Sequence, residues 1–164
     1  MAYDLTAALR DRSVCELLRL VGVPYLWGGN DPWNGGVDCS GAILWAYKGA
    51  GIQLPDLRAR DLASRCELFT EPIEAKMGDL VFYGGGNITH VVMVVAPGAR
   101  AVAGANGGTS FRKLGLKADL PADLDPADAI LYRMEMDERD ARVKIEADGW
   151  HYRKDFRGFG RIPL

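Results

Sequence analysis

The chain has 164 residues, 48% of them hydrophobic and 26% charged, with a formal net charge of −2 and a pI near 5.7. That is the size of one domain with an ordinary globular mixture, which argues against disorder. The longest near-apolar stretch, 91–97 (VVMVVAP), is strand-sized, so membrane insertion is not expected, and a mildly acidic chain has no general affinity for nucleic acid.

Residues 5–20 place Leu5, Ala8, Leu9, Val14, Leu17 and Leu18 close to helical spacing. They predict a helix ended by Gly22 and Pro24. Residues 25–38 (YLWGGNDPWNGGVD) read as a loop. A second helix follows in CSGAILWAYKGAG, with Ile43, Leu44 and Tyr47 on one face, Asp38 as N-cap, and Gly49 and Gly51 at its end. Residues 57–69 read as a third helix. The character then changes to strands at 79–83, 90–95, 101–106 and 130–134, punctuated by glycine-rich turns. A last hairpin is expected from 143–145 and 150–152 around Asp148 and Gly149. Helices first and short-linked strands second predict an α+β fold, with N-terminal helices packed on an antiparallel sheet.

Residues 119–138 hold seven acidic side chains against Arg133, and 139–164 hold seven basic against four acidic. The tail WHYRKDFRGFGRIP interleaves aromatic and basic groups. It reads as a solvated face wrapping the sheet, or as a contact surface for a glycan or a partner protein. Cys15, Cys39 and Cys66 suit neither a disulfide framework nor a zinc pair. The N-terminal stretch carries Asp4, Arg10, Asp11 and Arg12 where a secretory signal is apolar. Synthesis in the cytoplasm without an export signal is therefore expected.

Cys39 opens a predicted helix directly after a glycine-rich loop. A helix N-terminus carries about half a positive charge, which favours the thiolate, the nucleophilic form. On local context alone, Cys39 is equally a small buried apolar residue, and that reading is preferred for Cys15 and Cys66. A cysteine nucleophile needs a base. Of the two histidines, His90 opens the apolar strand HVVMVV, whereas His151 sits in the aromatic tail and reads as a surface residue.

Three blocks in this order carry a resemblance: GVPYLWGG at 22–29 followed by DCSG at 38–41, MGDLVFY at 77–83, and THVVMVV at 89–95. Together they resemble the NlpC/P60 family of bacterial cell-wall peptidases, over roughly residues 5–134. The resemblance implies a papain-like fold and cysteine-peptidase hydrolysis of peptidoglycan stem peptides, commonly after D-γ-glutamate, with no metal or cofactor. It implies Cys39 as nucleophile and His90 as general base. Tyr25 would line the site and bind substrate or polarise its carbonyl. Asp38 and Ser40 would bind the amine and backbone of the stem peptide. Asp38 as a plain helix cap and Tyr25 as plain packing stay open beside these roles. Asp79 reads as structural, and Trp27, Trp33 and Trp45 as core or pocket walls.

The family usually carries a polar residue on the strand after the histidine strand, to orient the base. A direct match falls near Ala103 and Gly104, which offer no polar side chain. Strand alternation puts position 106 on the same face as 104, so Asn106 is favoured, its amide oxygen holding Nδ1–H of His90. A dyad without a third side chain is the alternative. Residues 1–134 form the expected catalytic unit and 135–164 an extension packed on it. A wall-degrading domain without a signal suggests action on the wall through phage lysis or tail proteins. Competing readings are a related papain-like amidase, a non-catalytic wall-binding or virion structural protein, and, more remotely, a zinc site on Cys39 and His90.

Overall fold

The Asp4 carboxylate accepts from the Ala7 amide at 3.1 Å and starts helix α1, Leu5–Leu18. The structure, a computed structural model, describes residues 4–107 and 141–164. After α1 come a two-residue ribbon, β1 (Asn30–Asp31) and β2 (Gly36–Val37), and helices α2 (Cys39–Gly49) and α3 (Ala59–Arg65). Six strands follow: β3 (Glu67–Phe69), β4 (Leu80–Tyr83), β5 (His90–Ala96), β6 (Ala101–Ala105), β7 (Val143–Glu146) and β8 (Phe156–Arg161). They form one antiparallel sheet in the order β3-β8-β4-β5-β6-β7. Among the described residues no helix is long and apolar enough to cross a membrane.

Strand alternation gives the sheet two apolar faces. Leu80, Phe82, Val91, Met93, Ala103 and Ala105 pack with Leu17, Ile43, Tyr47 and Leu62 of the helices. Val81, Tyr83, Val92, Val94 and Val102 point the other way, where Phe69, Trp150, Tyr152, Phe156 and Phe159 cover them. The expected α+β architecture is therefore the observed one, with the chain's own C-terminal aromatics covering the second face.

Two expected elements differ. The third predicted helix stops at Arg65, and residues 67–69 turn extended to pair with β8. The C-terminal hairpin does not form. Residues 149–152 make a 3-10 turn, and β7 and β8 lie far apart in the sheet, β7 on β6 and β8 between β3 and β4. Gly149 sets that turn: its φ is 79°, and a Cβ there would lie 2.5 Å from the Ala99 carbonyl oxygen. The expected strand at 130–134 lies outside the described residues. Trp33 is 88% exposed, so it is not core, and Cys15 is exposed rather than buried.

One buried carboxylate fastens both chain ends to the sheet. Asp79 is fully buried and takes two charge-assisted bonds from Arg161, at 2.8 Å (Nε) and 2.6 Å (Nη2). Its Oδ1 lies 3.8 Å from Arg10 Nη1 of α1, which is buried with no hydrogen-bond partner among the described residues. Arg10 Nη2 in turn donates to the Ile162 carbonyl at 2.7 Å, just past β8. Removing one member of such a group strands the remaining charges away from water. Asp79→Ala is therefore expected to lose about 3–5 kcal/mol of stability, read from urea denaturation. A loss below about 1 kcal/mol, the range of surface ion pairs, would contradict this role.

Candidate active site

The loop ahead of α2 is held by backbone contacts that leave no room for side chains. The Asp38 amide donates to the Gly29 carbonyl at 2.9 Å, and a Cβ on Gly41 would sit only 2.1 Å from that same oxygen. The first turn of α2 thus lies directly on the loop. Asp38 caps it, accepting from the Gly41 amide at 2.6 Å and the Ser40 hydroxyl at 3.3 Å. Burial pushes the Asp38 carboxyl up, against the pull of these bonds. The expected cap at Asp38 is present, and Ser40 is bonded to it.

Cys39, the first residue of α2, is 9% exposed and shares an apolar cluster with Tyr25 and Val37. Tyr25 is brought there by backbone pairing with Val37, two residues before Cys39. The Cys39 sulfur lies against the amide of Val91, the residue after His90, and against the amides of Ser40 and Cys39 itself. Helix α2 packs on β5, so the nucleophile candidate meets the start of the histidine strand.

His90 is also buried, packed beside Tyr83 with ring centroids 5.8 Å apart. Strands β5 and β6 pair Met93 with Ala103 and Val94 with Val102. Continuing that register places Asn106 opposite His90 and puts Gly104 on the same face. The expected juxtaposition of His90 and Asn106 is therefore present, but the expected bond is not. His90 Nε2, not Nδ1, faces the polar group, and it meets the Tyr152 hydroxyl at 2.8 Å. Tyr152 in turn donates to Asn106 Oδ1 at 2.8 Å. The Asn106 amide nitrogen points to Glu146 Oε1 at 3.4 Å, and Lys144 lies 3.4 Å from that carboxylate. Arg153 and Asp155, paired at 2.7 Å, sit beside this cluster, with the guanidinium 5.5 Å from the Tyr83 ring centre.

Tyr152 was not among the residues singled out from the sequence. Its only signal there is its membership of an aromatic-basic tail, which says nothing of a neighbour 62 residues earlier. His151 next to it is exposed, as expected. Trp45 lines a separate cavity of about 370 Å³ with Leu44, Lys48 and Leu54.

Burial dominates the electrostatics. It pushes the Cys39 thiol up to about 11, with Asp38 adding to the rise, and the surrounding amides oppose it only in part. It takes His90 down to about 3, helped by the Arg153 charge, while Asn106 works the other way. The pull of the helix terminus towards the thiolate is thus outweighed at Cys39. Loss of hydration outweighs the half-charge of the helix. Burial thus favours a neutral thiol at Cys39 and a neutral imidazole at His90.

A buried cysteine at a helix N-terminus, set against a histidine strand of an antiparallel sheet, defines an α+β domain of the papain-like kind. Residues 22–114 match the model of the NlpC/P60 family, and the chain belongs to that family. It is 42% identical over 87 residues to the bifunctional muramidase/DL-endopeptidase CwlT of Bacillus subtilis, covering 51% of this chain and 26% of CwlT. It is 33% identical over 111 residues to the peptidoglycan endopeptidase RipB of Mycobacterium tuberculosis, covering 58% of this chain and 45% of RipB. The chain thus spans less than half the length of either relative. In fold it is similar to RipD of Mycobacterium tuberculosis, described as a non-catalytic NlpC/p60 domain protein adapted to peptidoglycan binding. That match has a TM-score of 0.62 and 19% identity, and covers 94% of this chain and 98% of that one.

The neutral resting pair has a direct consequence for labelling. Iodoacetamide should modify exposed Cys15 first, and Cys39 should react slowly at pH 7.5. Its rate should climb about tenfold per pH unit towards pH 10, because only the thiolate reacts. Peptide mapping of the folded protein after timed exposure reads this. A Cys39 rate already on a plateau below pH 8 would contradict the assignment of burial as the dominant effect.

Proposed function

We propose that the protein is a cysteine peptidase that hydrolyses amide bonds in peptidoglycan stem peptides, with the bond after D-γ-glutamate as target. The observation that carries this reading is the placement of Cys39, on the first turn of α2, against the residue after His90, whose ring is held through Nε2. Membership of the family and the endopeptidase activities named for CwlT and RipB support the substrate class.

In this reading Nδ1 of His90 takes the thiol proton as the sulfur attacks the scissile carbonyl, so charge forms only when substrate is present. The amide of Cys39, at the helix start, donates to the developing oxyanion. His90 then passes its proton to the leaving amine, and a thioester remains on Cys39. Water, activated by His90, releases the acid. Tyr25 would bind the substrate from the wall of the site. Asp38 and Ser40 would receive the amine end of the stem peptide, in addition to capping α2.

A second reading, binding without catalysis, draws on the neutral state of both Cys39 and His90 at rest. Mass spectrometry of purified muropeptides before and after incubation separates the two. Cleavage is expected, insensitive to EDTA, and lost by at least a thousandfold in both Cys39→Ala and His90→Ala, roughly the scale reached when one member of a catalytic unit is removed. Intact muropeptides with every preparation of folded wild type would sink the peptidase reading. Loss on chelation with recovery on added zinc would sink the mechanism.

A further inference from the structure

Resting on the reading of His90 as general base, we propose that Tyr152 is a positioning residue. Its hydroxyl accepts the Nε2 proton of His90 and donates its own proton to Asn106, so that Nδ1 is left free as the base. The geometry fixes the direction of each bond. Glu146, paired with Lys144, can only accept, so the Asn106 amide nitrogen faces it and the amide oxygen faces Tyr152. The Tyr152 hydroxyl has one proton, and Asn106 Oδ1, an acceptor only, takes it at 2.8 Å. At its other contact, 2.8 Å from His90 Nε2, the hydroxyl oxygen must therefore accept, and Nε2 must carry the hydrogen. A neutral imidazole has one N–H, so the lone pair is on Nδ1.

The sheet supplies the rigidity for this arrangement. Tyr152 reaches the ring from the 3-10 turn between β7 and β8. Its ring stands edge-on to Tyr83, with centroids 5.3 Å apart, and so cannot swing without displacing the aromatic cover of the sheet. Asn106 thus acts on His90 through Tyr152, and the two residues are coupled rather than additive.

That coupling yields an unusual expectation. Without the amide oxygen, the Tyr152 hydroxyl turns and donates to Nε2, which moves the ring proton to Nδ1 and blocks the base. Asn106→Ala should therefore lower kcat on a stem peptide by roughly 5- to 150-fold, the effect of one orienting hydrogen bond, with KM unchanged. The double variant Asn106→Ala/Tyr152→Phe should recover part of that loss, because the misdirected donor is gone.

The test reads the ring directly, by long-range ¹H–¹⁵N correlation spectra of the ¹⁵N-labelled protein, with His151→Gln removing the second histidine's signals. The wild type should show the Nε2–H tautomer with a slowly exchanging proton. Asn106→Ala should show Nδ1–H, and Tyr152→Phe, which keeps the ring and hence the packing, should lose the protection of the Nε2 proton. A wild type protonated on Nδ1, or a Tyr152→Phe spectrum identical to wild type, would overturn the proposal. The spectra decide it even if the wild type cleaves no muropeptide, an outcome that would sink only the peptidase reading.

Discussion

The structure hangs on a single carboxylate without contact with water. Asp79, in the turn before β4, binds Arg161 at the end of β8 and balances Arg10 of α1. Through it the C-terminal strand is locked between β3 and β4 rather than left at an edge. Everything between β7 and β8 is then stretched across the open face of the sheet, and this segment carries Trp150, Tyr152 and Arg153 to the side of His90. An ion group at the start of the strand next to β5 thus decides whether His90 has its partner.

The site itself is a balance between two physical effects of opposite sign. The N-terminus of α2 and the amides around the sulfur favour a thiolate, and burial disfavours it more strongly. The imidazole is pushed towards neutrality for the same reason. In the proposed peptidase mechanism such a site would hold its groups in geometry and defer charge separation to the moment of attack, when the substrate would supply an acceptor for the negative charge and the ring would take the proton. Orientation of the ring matters more in such a site than a standing ion pair does, because a neutral imidazole with its proton on the wrong nitrogen is no base at all.

Much of this was legible in the residues. Cys39 and His90 stand out because a glycine-rich loop, a capped helix start and an apolar strand each leave a local pattern. Asn106 follows from alternation along β6, which needs only the register of one hairpin. The partner atom was misassigned, since no local rule says which ring nitrogen turns inward. Tyr152 was invisible for a topological reason. Its place depends on β8 inserting between β3 and β4, and that pairing rests on Gly158 and Gly160 lying opposite Phe82 and Leu80, a match of strands more than 70 residues apart. The same insertion explains why 67–69 became a strand instead of ending a helix: β8 offers it a free edge.

In the proposed mechanism a thiol unreactive at rest becomes a nucleophile when a stem peptide is bound and the oriented imidazole can take its proton. The most direct measurement exposes the protein at pH 7.5 to a stem-peptide analogue in which a chloromethyl ketone replaces the scissile amide after D-γ-glutamate, followed by intact-mass analysis and peptide mapping. One adduct per chain is expected, on Cys39, formed faster than any modification by iodoacetamide and abolished in His90→Ala. An adduct confined to exposed Cys15, or labelling of Cys39 at the same rate with and without His90, would contradict it.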